Sequence, residues 1–156
     1  MSCDFFGALG IVTLPSLILS WRQNRMFPTI QHNAARLREL RARIRETVRH
    51  RDESAEARAA WEAACADFHQ QYDALAFPGG LEAGLEKIRQ SDRVACETAM
   101  NYLERPPYCF RSQYVMNYLR RALNKAALRH DLAARFGLWK ERQTERKVAA
   151  RQKRLA

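Results

Sequence analysis

Apolar residues recur at spacings of three and four from Leu37 to Leu75, and one seven-residue frame fits the whole stretch. Leu37, Ile44, Arg51, Arg58, Cys65 and Tyr72 share one position of that frame, and Leu40, Thr47, Ser54, Trp61, Phe68 and Leu75 share another. Such spacing lays a stripe along one side of a helix and favours lengthwise packing on a second helix. Between Ile44 and Trp61 the stripe turns polar. No Gly or Pro falls between Thr29 and Phe77, so the pattern predicts one long amphipathic, coiled-coil-like helix over 29–77, roughly 45 residues and about 68 Å. Asp52 and Ser54 carry the one competing signal, because either side chain can cap a new helix and turn the rod into a hairpin. The phase kept across whole heptads favours the rod.

The stretch before it has another character. Phe5 to Trp21 holds no charged residue, and as a helix its 17 residues extend about 25 Å, the short limit for a bilayer core of about 30 Å. Trp21 stands where an interfacial aromatic belongs, with Arg22 and Arg25 directly after it. The expectation is a hydrophobic segment over 1–28 that anchors the chain, its bulk on the cytoplasmic side. The competing expectation is a cytoplasmic soluble protein with the segment buried or interfacial, broken by Pro15. The opening Met-Ser-Cys-Asp lacks the basic start of a cleaved signal peptide. Phe27-Pro28-Thr29 reads as the joint where the long helix starts, Pro28 suiting a first turn.

Phe77-Pro78-Gly79-Gly80 closes the rod, since proline cannot continue it and glycine accepts a tight reversal. A compact helical domain is expected over 80–136. Leu81, Leu85 and Ile88 form one short apolar face. Ser91 or Asp92 caps a second helix carrying Val94, Cys96, Ala99, Met100 and Leu103, which halts before Pro106-Pro107. Ser112 is the expected cap of a third helix with Val115, Leu119 and Leu123 on its apolar side. A fourth, with Leu132, Phe136 and Trp139, is interrupted near Gly137, and a basic tail fills 137–156. No run alternates apolar and polar residues as a strand does. The fold class is therefore all-α, a long N-terminal helix followed by a small C-terminal bundle, within a length suited to one modest core.

Charge narrows the partners. Lys and Arg number 27 against 17 acids, a net charge of +10, which attracts phosphates of nucleic acid or anionic lipid as well as acidic protein surfaces. Cys3, Cys65, Cys96 and Cys109 are widely spaced without a C-x-x-C pair, and His32, His50, His69 and His130 lack metal-ligand spacing. No phosphate-binding glycine loop, nucleophile elbow or H-E-x-x-H occurs. No catalytic residue, cofactor or metal ligand is singled out, and a non-enzymatic role is expected. Leu37, Leu40, Ile44, Trp61, Phe68 and Tyr72 are the expected contacts for a partner helix. Arg22, Arg25, Arg38, Arg41 and Arg45 are the expected contacts for an anionic surface. Arg111, between a rigid loop and a helix start, is a candidate anion site, with bracing of carbonyls near Pro106 and Pro107 as its competing role. The leading expectation is a membrane-tethered scaffold or adaptor acting through helix packing and a basic surface, of open stoichiometry. The alternative is a soluble basic helical accessory subunit bound to RNA or a ribonucleoprotein.

Overall fold

The computed structural model describes the backbone of residues 15–155 and the side chains from Pro28 onward. Six helices and no strands occur among the described residues: α1 Pro15–Thr47, α2 Ala55–Ala76, α3 Leu81–Arg89, α4 Arg93–Glu104, α5 Ser112–Leu123 and α6 His130–Leu155. The all-α architecture with a C-terminal bundle is observed. The single helix over 29–77 is not, because the chain reverses between Thr47 and Ala55. Ser54 is extended, and its side-chain oxygen accepts from the Ala57 N–H at 3.1 Å. Arg51 and Arg58 both pair with Asp52 at the tip, at 3.1 and 3.2 Å. The frame survives for an arithmetical reason. The connector, residues 48–54, is itself seven residues long, so the stripe re-enters α2 in the phase it left α1. The polar middle of the stripe is the turn.

The stripe closes on itself. Leu37, Leu40 and Ile44 of α1 bury against Ala64 and Phe68 of α2, with Trp61, Cys65, Tyr72 and Leu75 half-buried around them. Each fully buried side chain of this size gains about 1.5–3 kcal/mol from leaving water, far more than the exposed Arg43–Asp67 pair at 2.8 Å across the same seam.

Three boundaries differ from the sequence expectations. Helix α1 runs through Pro28 instead of starting there, beginning at Pro15. At the start of α5 the cap position belongs to Arg111, in the left-handed region at φ 59°, and Ser112 is the first helical residue. Helix α6 passes Gly137 without a break and carries the basic tail as a continuous helix to Leu155. A lone glycine costs a helix about 1 kcal/mol, and Phe136 and Trp139, both buried, hold α6 on either side of it.

The bundle core joins Phe77, Ile88, Met100, Tyr102, Leu103, Leu119 and Leu123 to Ile30 of α1 and to Leu132, Phe136 and Trp139 of α6. Tyr72 touches both cores, so the hairpin sits directly on the bundle. Asp92 caps α4 by accepting from the Ala95 N–H at 2.8 Å, as its sequence position implies. Trp139 donates its indole N–H to the Leu103 carbonyl at 2.9 Å, and Arg135 grips Glu104 with two nitrogens, the shorter contact 2.7 Å, fixing α6 on α4. Among the described residues no helix is long and apolar enough to cross a membrane. Of the anchor expected over 1–28, Pro15 onward continues as α1, while residues 1–14 and the side chains of Arg22 and Arg25 lie outside the described residues.

Candidate functional site: an arginine–aromatic cleft

Pro106 and Pro107 force the chain out of α4 and into a short connector that lies over the hairpin. Arg105 leaves the helix at φ −132°, ψ 69°, since the residue before a proline is driven from helical geometry. Tyr108, Cys109 and Phe110 then cross the face of α1 that carries Arg38, Arg41 and Arg45. Spacings of three and four place these arginines on one side of the helix. Together with Ala42 and the connector they line a cleft of about 370 Å³.

Each arginine is held differently. Arg38 donates to the Tyr108 carbonyl at 3.3 Å. The bracing role considered for Arg111 is thus carried by Arg38, and Arg111 itself is exposed. The Arg41 guanidinium lies 4.3 Å from the centre of the Phe110 ring. Its Nε is enclosed without a hydrogen-bond partner, while the rest of the side chain is half-buried at the cleft wall. Arg45 is exposed at the cleft's rim. Arg111 stands over Phe110 as well, at 5.2 Å, and Phe68 meets that ring edge-on at 5.6 Å. Phe110 is therefore rooted in the hairpin core with cations on its surface, an arrangement worth about 0.5–2 kcal/mol per cation depending on desolvation. Tyr108 points outward, 88% exposed.

Beyond Arg111 a second cleft of about 280 Å³ opens between Tyr72, Leu81, Tyr114, Val115 and Tyr118. Burial pushes the Tyr72 phenol above its ordinary range, and Arg111 opposes that shift by favouring the phenolate. Beneath the connector, burial raises the Cys109 thiol, while the Tyr102 hydroxyl and Arg38 draw it down. The Tyr102 hydroxyl is enclosed without a well-formed hydrogen bond. Burial also pushes the Cys96 thiol to about 11.

The residues expected from sequence divide between two places. Leu37, Leu40, Ile44 and Phe68 are in the hairpin core, with Trp61 and Tyr72 at its edges. These contacts are made inside the chain, because α2 occupies the groove that a partner helix would take. Arg38, Arg41 and Arg45 come together in the first cleft, and Arg111 divides it from the second. The sequence reads Phe77, Tyr102, Tyr108, Phe110, Tyr114 and Tyr118 as core and loop plugs. Phe77 and Tyr102 are buried, but Tyr108, Tyr114 and Tyr118 are exposed, since nothing in local spacing separates a solvent-facing tyrosine from a core one. Among the described residues no group of three or more His, Cys, Asp or Glu is placed to hold a metal ion. No family model, curated protein or solved structure matches the chain.

Proposed function

We propose that the chain is a non-enzymatic binding protein that takes an unpaired strand of nucleic acid across the arginine–aromatic cleft. The observation carrying this reading is the placement of Arg38, Arg41 and Arg45 on one helical face beside the outward ring of Tyr108. Guanidinium groups bind phosphates, and an exposed ring offers unpaired bases a surface on which to stack. The net charge of +10 supplies long-range attraction to such a strand. Tyr114, 64% exposed, and Tyr118 extend the aromatic surface past Arg111.

The test is binding of a labelled single-stranded RNA at several salt concentrations. Stacking contributes about 1–3 kcal/mol per base, so Tyr108→Ala is expected to weaken binding by about 5- to 150-fold. Arg45→Gln is expected to lower the slope of log K against log salt by about 0.7. Unchanged affinity in the first variant and an unchanged slope in the second sink the proposal.

A second reading, a membrane-tethered interaction protein, draws on α1. That helix begins at Pro15 within the uncharged leader and runs without interruption to Thr47. Arg22 and Arg25 directly follow the uncharged leader in the sequence. Arg38 to Arg45 follow Trp21 by about 25–36 Å of helix, well past the roughly 8 Å over which exposed charges act at physiological salt. On this reading too the cleft faces a partner away from the lipid. Retention in a membrane pellet through alkaline carbonate supports the tether, and release under that wash removes it.

A further inference from the structure

The second half of α6 has no bundle beneath it. Leu132, Phe136 and Trp139 bury the first half, whereas from Lys140 to Leu155 every residue except Gln143 is exposed. This arm of 16 residues extends about 24 Å. It carries seven cations against Glu141 and Glu145.

Its charges are ordered. The stepping that buries Leu132, Phe136 and Trp139 continues as Gln143, Arg146/Lys147, Ala150 and Lys153/Arg154. The face that meets α4 in the first half therefore becomes a narrow uncharged strip with cations on both sides. Lys140 and Arg151 extend the row of Lys147 and Arg154, and Arg142 extends the row of Arg146 and Lys153, by helical periodicity. Glu141 and Glu145 fall on the opposite side. Pairing within the arm accounts for little of the pattern: each charged pair four residues apart (Glu141 with Glu145, Arg142 with Arg146, Lys147 with Arg151) is of like sign, which disfavours an isolated helix. Arg142 with Glu145 is the one opposite pair at a spacing of three. An anionic lipid surface fits poorly as well, because Val148 and Leu155 give the far side only a thin apolar edge.

We propose that residues 140–155 lie lengthwise in the major groove of duplex DNA, the two cation rows reaching the phosphate walls on either side. The groove is about 12 Å wide and admits a helix about 10–12 Å across. A-form RNA has a major groove too narrow for this, and a single strand offers one phosphate row instead of two. The small Ala150 and the polar Gln143 on the central strip permit close approach to base edges.

This inference shares the nucleic-acid premise of the proposed function but uses a separate surface. The test compares the full chain on a 20-base-pair DNA duplex, on one of its strands, on an RNA duplex of the same sequence, and on phosphatidylserine vesicles. Tightest binding to the DNA duplex is expected. Lys147→Gln with Arg154→Gln, and separately Arg146→Gln with Lys153→Gln, should each lower the salt slope on that duplex by about 1.8. Glu141→Gln with Glu145→Gln should leave the slope unchanged or slightly raise it. All three pairs are exposed and should leave the melting temperature of the bundle unmoved. Equal affinity for RNA and DNA duplexes, an unaltered slope in either cationic pair, or preference for the vesicles overturns the proposal. Tyr108→Ala should spare duplex binding, so failure of the cleft reading and failure of the arm reading give different results.

Discussion

Gly84→Ala sets two effects of similar size against each other, and the structure decides which wins. Gly84 is a buried position of α3, and in a helix interior alanine is favoured over glycine by about 1 kcal/mol. A Cβ added here collides with Phe77 Cδ1 and stands 2.6 Å from Cε1. Phe77 is 1% exposed, enclosed by the bundle core and tilted against Tyr102 at 6.4 Å between ring centres. It has no open direction in which to swing, so the overpacking cost belongs toward the upper end of the usual 1–3 kcal/mol. The net expectation is destabilisation by about 1–2 kcal/mol, a fall in melting temperature of about 2–8 °C for a chain of this size. Thermal unfolding followed by circular dichroism measures it, and Gly84→Ala with Phe77→Leu should recover part of the loss by relieving the collision. An unchanged or raised melting temperature in the single variant would refute the packing of α3 on Phe77.

Three further outcomes follow from the same packing. Ser54→Ala removes the side-chain cap of α2 and should cost about 1 kcal/mol in denaturant unfolding; no loss of stability would mean the hairpin turn is not built as described. Leu37→Ala, at a position 1% exposed, should cost about 2–5 kcal/mol, whereas an exposed rod face would tolerate it within about 0.5 kcal/mol. Cys96 has a folded-state pKa raised from 9.0 to about 11 by burial, so its contribution to stability is full below pH 9. That contribution is lost as pH rises through 11, because the unfolded thiol ionises first. Cys96→Ala should flatten the fall in stability between pH 9 and 11, and an identical profile in the variant would contradict the assignment.

Much of the helical content was legible in the chain. Asp92 before α4, the Phe77–Gly80 break and the prolines after α4 are local signals whose chemistry acts over a few residues, and each functions at the place where it stands in the sequence. The stripe from Leu37 to Leu75 reads as the partner-facing side of a single rod, whereas Leu37, Leu40, Ile44 and Phe68 bury against one another inside a hairpin. Periodicity reports which face is apolar and is blind to a connector whose length equals the period. Ser54 and Asp52, within the polar run through Arg58, held the better signal. The cleft lay further from view. Arg38 and the Tyr108 carbonyl are 70 residues apart in sequence, and no local pattern connects them.

Composition and spacing by themselves determined the class of fold, the positive charge and the faces that leave water, since these depend on side-chain chemistry and helical repeat alone. The direction in which α2 runs, and hence what fills the groove of α1, was decided by tertiary packing. So was the meeting of three arginines with Tyr108 and Phe110. The physical reason is that burial of Leu37, Leu40 and Ile44 is satisfied by any apolar helix of matching phase, and only chain reversal made that helix the protein's own.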